Sequence, residues 1–352
     1  VGIIAEIRQR WLLALKDNKR SWLRLIGPLQ LGSKTFPVNI IQGPLAGISC
    51  APFRLLTWQY GQPAFSCTEM ISCKTLIYQE QKNQQRFIQK DSAEGPVCFQ
   101  LASNDPSELA EAVKRVTGWG ADLIDLNCGC PVKKIRRKGA GSSLLSDAGK
   151  LHQMIHAMKQ NTHVPVSIKI RVEGGAEDVF HQEIVKVVKD AGVDFLIVHG
   201  RHWTEHYETP CHHDDIEFFV NELTIPVIGN GDIKCVDSLK EMFATGCAGV
   251  MISRAGVGQP WLIKKLMAEM QNQSFAIPTR EERGKLYLRH VEQLAQLLES
   301  EKFALLQARN FAKYYTREFE NRQEFCSAVN ACESISQLEK ICLQYFCSAD
   351  EM

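Results

Sequence analysis

Eight short apolar runs in this sequence end in polar or ionisable residues, and those endings carry most of the chemistry the chain can offer. They read Gln42-Gly43-Pro44, Glu69-Met70, Gln100, Asn127-Cys128-Gly129-Cys130, Lys169-Ile170-Arg171, His199-Gly200-Arg201, Gly229-Asn230-Gly231-Asp232 and Ser253-Arg254. A thiol can donate a proton, and cationic side chains can hold a phosphate or steady a developing anion. Glycines among them let backbone N–H groups approach an anion closely. Cys128 and Cys130 could also be read with Cys211-His212-His213 as zinc ligands. That spacing fits no standard structural knuckle, so no metal is expected.

The elements that must position these groups follow from periodicity. The runs lie at 38–43, 64–69, 96–100, 122–127, 166–170, 195–199, 226–229 and 249–253, with helix-like segments between them. Alternating strands and helices imply βα units and a parallel sheet. Eight units predict an α/β fold, a closed (β/α)8 TIM barrel over residues 30–275. An open doubly wound sheet shares the periodicity, but its G-x-G-x-x-G after the first strand is absent. Catalytic groups of a barrel gather at the C-terminal ends of its strands, where the polar residues fall. That coincidence predicts an enzyme without reference to any family.

After residue 275 the β-runs stop. Thr279 and Glu282 form a potential capping box, and Tyr287, Val291, Leu294 and Leu298, then Leu305, Ala308, Ala312 and Tyr315, recur at helical spacing. Residues 276–352 are therefore expected to form a helical domain. Residues 1–29 are expected to form an amphipathic helical extension, with Ile4, Ile7, Trp11 and Ala14 on one face packing against the barrel rather than lying on a membrane.

The composition excludes a disordered chain or a disulfide scaffold: 45% of the 352 residues are hydrophobic, 23% are charged, and the 13 cysteines show no repeated spacing. Scattered cysteines without an uninterrupted apolar leader read as reduced thiols, so a cytoplasmic location is expected. No apolar run is long enough to span a membrane. With 41 basic and 40 acidic side chains the net charge is +1, so a polyanion could be met only by a local patch. Lys133, Lys134, Arg136, Arg137 and Lys138 supply one, next to Cys130.

The segment from Asp125 through Asn127-Cys128-Gly129-Cys130-Pro131, continuing to Lys138-Gly139-Ala140-Gly141, resembles the signature of the tRNA-dihydrouridine synthases. Further similar segments follow in that family's order. They are Gly43-Pro44-Leu45-Ala46-Gly47, Phe99-Gln100-Leu101, Ile168-Lys169-Ile170-Arg171, Val198-His199-Gly200-Arg201, Gly229-Asn230-Gly231-Asp232-Ile233 and Arg254-Ala255, with Ala308-Arg309-Asn310 to Tyr314-Tyr315 a weaker match. The resemblance implies an FMN-binding barrel, a helical domain that helps hold tRNA, and NADPH-dependent reduction of selected uridines to 5,6-dihydrouridine. No membrane or protein partner is implied.

The resemblance also assigns roles. Reduced flavin would give hydride to C6, and Cys130 would protonate C5; an ordinary thiol, with a pKa of about 8.5, is mostly protonated near neutrality. Pro44 and Leu45 would line the flavin ring, Gln100 would hydrogen-bond it, and Lys169 would stabilise its anionic reduced form. His199 would sit at the flavin edge, and Asn230, Gly231, Asp232, Ser253 and Arg254 at the ribityl and phosphate groups. Asn127 and Arg201 would meet the RNA or the uracil pocket, and the five basic residues of 133–138 the RNA or the flavin phosphate; the target base must be extruded to be reached. Ser253 replaces the usual Gly and Cys50 the usual Asp. Two alternatives stay open: an FMN barrel acting on a free pyrimidine, and a flavin-free RNA-binding protein on the same scaffold.

Overall fold

The structure is a computed structural model that describes residues 25–172 and 179–347. The expected helix at the start of the chain lies almost wholly outside these residues. Eight parallel strand positions close into a barrel, as the sequence predicts. In order they are β3 (Ile40–Gln42), β4 (Ser66–Cys67) with β5 (Ile71–Ser72), β6 (Val97–Ala102), β7 (Leu123–Cys128), β8 (Val166–Arg171), β9 (Phe195–His199), β10 (Val227–Asn230) and β11 (Gly249–Ile252). β11 pairs with β3, and β4 with both β3 and β6, which closes the ring.

Two features escape the periodicity. An antiparallel hairpin, β1 (Leu29–Leu31) and β2 (Lys34–Phe36), precedes the barrel. Its two-residue turn opens on Gly32 at φ +53°, a left-handed conformation that glycine adopts without strain. Leu29, Leu31 and Phe36 pack with Phe65, Phe195 and Ile228 and so plug the bottom of the barrel. The second barrel strand is also broken. β4 and β5 pair with the same partner β6, and Thr68-Glu69-Met70 bulges between them. Glu69 accepts hydrogen bonds from Arg86 and the Gly47 N–H, so it ties two loops together.

Strand alternation carries the core into the site. On β7, Ile124, Leu126 and Cys128 pack outward against the helices, while Leu123, Asp125 and Asn127 take the lumen. β8 repeats the pattern with Val166, Ile168 and Ile170 outward and Ser167, Lys169 and Arg171 inward, and β9 with Phe195, Ile197 and His199 inward. The lumen is thus apolar at its base and polar at its C-terminal rim. A one-residue register slip would exchange these two sets.

Helices Arg280–Leu298, Glu301–Tyr315, Arg322–Ala331 and Ile335–Cys347 follow the barrel. The first begins with the capping box of Thr279 and Glu282. Their core, including Tyr287, Phe311, Tyr315 and Phe325, is continuous with Phe53, Leu56, Val257 and Trp261 of the barrel's outer layer. Among the described residues no helix is long and apolar enough to cross a membrane.

Candidate active site

A cleft of about 610 Å³ opens at the C-terminal rim of the barrel, within the range of roughly 300–1,000 Å³ usual for cofactor sites. It is bordered by Pro44, Leu45, Gln100, Asn127, Cys130, Lys169, His199, Arg201, Asn230, Gly231, Asp232, Ser253 and Arg254. Lys133, Lys134, Arg136, Arg137 and Lys138 do not border it. They form the short helix Lys133–Arg136 and the turn after it, beside Cys130.

Both backbone polar groups of Cys130 are held. Its N–H donates to Asn127 Oδ1 at 2.9 Å, and its carbonyl accepts from the Ser142 N–H and hydroxyl, each at 3.1 Å. The thiol itself is partly exposed, whereas Cys128 is buried on the outer face of the same strand. Asn127 is fixed in turn: its Nδ2 donates to Gln100 Oε1 at 2.9 Å, and Gln100 Nε2 donates to Asp125 Oδ2 at 2.7 Å. Ser167 donates to the other Asp125 oxygen. Burial pushes the Asp125 carboxyl up to about 7 against these two hydrogen bonds and the nearby Lys169. Lys169 is pushed down to about 8 by burial and by Arg171, with Asp125 opposing.

His199 is held well below its ordinary value by burial and by Lys169, Arg171, Arg201 and Arg254, so it is neutral. Its Nε2 meets Arg201 Nη1 at 3.1 Å. Arginine can only donate, so Nε2 accepts and Nδ1 carries the proton.

Several charges expected to meet ligand are already engaged within the protein. Arg201 is fully buried and donates to His199, to the carbonyls of Thr209 and Tyr207, and to Asp232. It therefore organises the loop after β9. Against its burial, the Asp232 carboxylate is held low by Arg201, and the same oxygen accepts the Cys211 N–H, so its side chain anchors a loop. Arg136 lies 3.4 Å over the Trp203 ring and donates to Ser142, bracketing the Cys130 loop to the same segment. Among the described residues no three metal-ligating side chains converge.

The cleft also has walls that sequence reasoning left out. Tyr207, in the loop after β9, lies beneath the guanidinium of Arg254 at 3.7 Å and near that of Arg171 at 5.7 Å. Tyr314 and Arg317 reach in from the helical segment, and Met70 from the bulge. The loop around Tyr207 has no periodicity to mark it. Arg171 was visible as a strand-end cation and Tyr314 as part of a weak family match. Around the cleft, Lys169, Arg171, Arg201, Lys234, Arg254 and Arg317 stand against the single carboxylate of Asp232.

A family model described as "Dihydrouridine synthase (Dus)" matches residues 41–350. The tRNA-dihydrouridine synthase B of Pasteurella multocida is 31% identical over 305 residues, covering 86% of this chain and 91% of that one. The protein of the same description from Escherichia coli K12 is 30% identical over 322 residues, covering 90% and 99%. Among solved structures, morphinone reductase in complex with tetrahydroNAD aligns with a TM-score of 0.53 over 72% of this chain and 92% of its own; at 13% identity this is a likeness of fold alone.

Proposed function

The chain belongs to the dihydrouridine synthase family, and on that premise we propose that its cleft binds FMN and, with NADPH as reductant, reduces the C5–C6 bond of tRNA uridines. The observation that carries this reading is the excess of cations in a cleft that also contains Cys130. With Arg201 paired to Asp232, the five remaining cationic side chains make a site for an anion. Gly231 borders the cleft at the same place; its φ of +140° suits glycine, and the space a Cβ would fill is taken by Cys211 Sγ. These features fit a flavin phosphate.

FMN, when bound, supplies the hydride for C6. Lys169 places positive charge deep in the cleft, where negative charge on a reduced ring would be stabilised, and an anion there would in turn keep the ammonium protonated. Neutral His199 offers Nδ1–H as a donor. Arg254, steadied by the Tyr207 ring, and Lys234 offer charge to phosphate. Cys130 gives its proton to C5, and the hydrogen bonds to its N–H and carbonyl hold its backbone in place on the rim. Such a proton donor is worth roughly 10²–10⁴ in rate.

The helical segment and the solvent-facing Lys133, Lys134, Arg137 and Lys138 favour a large polyanionic substrate over a free pyrimidine. A visible spectrum of the purified protein tests the reading. A flavin band should bleach with NADPH under anaerobic conditions and return on addition of unmodified tRNA. Return only with a free pyrimidine would replace the substrate assignment, and protein that cannot be loaded with FMN would end it.

A further inference from the structure

We propose that Asp125, which touches neither Cys130 nor the cleft, is the positioning residue that sets the orientation of Asn127 and, through it, of the Cys130 peptide. The inference rests on the reading of Cys130 as proton donor. Its structural basis is a single file of hydrogen bonds, buried as far as Asn127 and part-buried beyond it: Asp125 Oδ2 accepts from Gln100, Gln100 Oε1 accepts from Asn127, and Asn127 Oδ1 accepts from the N–H groups of Gly129 and Cys130.

Direction is what the chain transmits. A side-chain amide presents a donor at one end and an acceptor at the other, so turning one amide in the file forces the next to turn. At the Cys130 end a backbone N–H can only donate, so Asn127 must show it oxygen and show Gln100 its NH2. Gln100 must then show Asn127 oxygen and present its own NH2 to position 125. An acceptor is required there, and Asp125 supplies one, held by Ser167 on its other oxygen at 2.7 Å. The residues are neighbours across the sheet: Gln100 pairs with Asp125, and Asp125 with Ser167. All three side chains are buried, so water cannot substitute for a missing partner without a cost.

The test compares Asp125→Leu with Asp125→Asn. Leucine fills the space and offers no acceptor. Asparagine offers its carbonyl to Gln100 while its NH2 donates to the Ser167 hydroxyl, which can accept. An orienting role predicts that Asn works and Leu does not. An electrostatic role, in which the carboxylate supports Lys169, predicts that both fail. A role in packing alone predicts no loss with Leu beyond that with Asn.

Exchange of the Cys130 amide is read by NMR on the purified protein with 15N-labelled cysteine, its signal identified by its loss in Cys130→Ala. In the Leu variant that amide is expected to exchange about tenfold faster, the factor a single net hydrogen bond carries. The kcat for dihydrouridine formation should fall roughly a hundredfold, the usual cost of an ångström of misplacement, with KM for tRNA unchanged. The Asn variant should match the wild type in both. Equal behaviour of the two variants, or unchanged Cys130 exchange in the Leu variant, overturns the proposal. If Asp125→Leu does not fold, Gln100→Met breaks the same file one link further on and must accelerate the same amide. If instead the exchange responds as stated but even the wild type makes no dihydrouridine, the functional reading fails and the positioning role stands.

Discussion

Gly258 and Tyr314 meet backbone to backbone: a Cβ built on Gly258 would lie 2.5 Å from the carbonyl carbon of Tyr314 and 2.7 Å from the Tyr315 nitrogen. The same glycine has φ +73°, and Arg317 closes the contact by donating to the Val257 carbonyl. The turn that follows Arg254 is thereby the seat of the helical segment, which is how Tyr314 and Arg317 come to border the cleft.

Gly258→Ala should therefore loosen that seat. The left-handed conformation alone costs a non-glycine residue about 1–2 kcal/mol, before any overlap with Tyr314. A lowered Tm is expected, together with faster hydrogen exchange in 301–315. An unchanged melting curve would show that the contact is not tight.

Lys133, Lys134, Arg137 and Lys138 face solvent, whereas Arg136 is held by Trp203 and Ser142. Replacing the four exposed residues with alanine should weaken tRNA binding and flatten its salt dependence, by about 0.7–0.9 in the log–log slope for each phosphate no longer neutralised. The kcat at saturating tRNA should not change. Arg136→Ala should instead lower kcat with little effect on the salt slope, because it frees two loops at the cleft. Titrations at several salt concentrations separate the two outcomes.

His290 is buried on the Phe311 ring, its Nδ1 against the Tyr315 hydroxyl, and burial pushes its imidazole down to about 3. The unfolded chain takes up a proton there below roughly pH 6.5, and the folded protein does not until near 3. Stability therefore falls as pH drops through this window, by about 2 kcal/mol from this group at pH 5. His199, depressed in the same direction, adds to the loss. His290→Phe should make the Tm decline between pH 7 and 5 shallower, whatever its effect at pH 7. An unaltered slope would place the acid sensitivity elsewhere.

The barrel was legible because its strands are apolar, short and regularly spaced, and because each ends in polar residues that only a strand-end rim can use. The hairpin at 29–36 was hidden by its length, although Leu29 and Leu31 alternate with Gln30 before a Gly-Ser turn. The candidate site was legible as a set of residue types, and not as a set of partners. Nothing local to Arg201 or Asp232 says that they hold each other, and nothing local to Tyr207 says that a loop folds it under Arg254. Tyr314 borders the cleft only because Gly258, more than fifty residues earlier, admits a helix end at backbone distance. Such long-range pairings leave no period in the sequence.

The central claim, proton transfer from Cys130 in a cleft that reduces tRNA, is tested most directly by one rate. The NADPH-reduced protein is mixed anaerobically with unmodified tRNA, and the return of flavin absorbance is followed in wild type and Cys130→Ala. The account predicts that the variant binds flavin and is reduced normally, but is reoxidised by tRNA about 10²–10⁴-fold more slowly. Reoxidation of Cys130→Ala at the wild-type rate would contradict it.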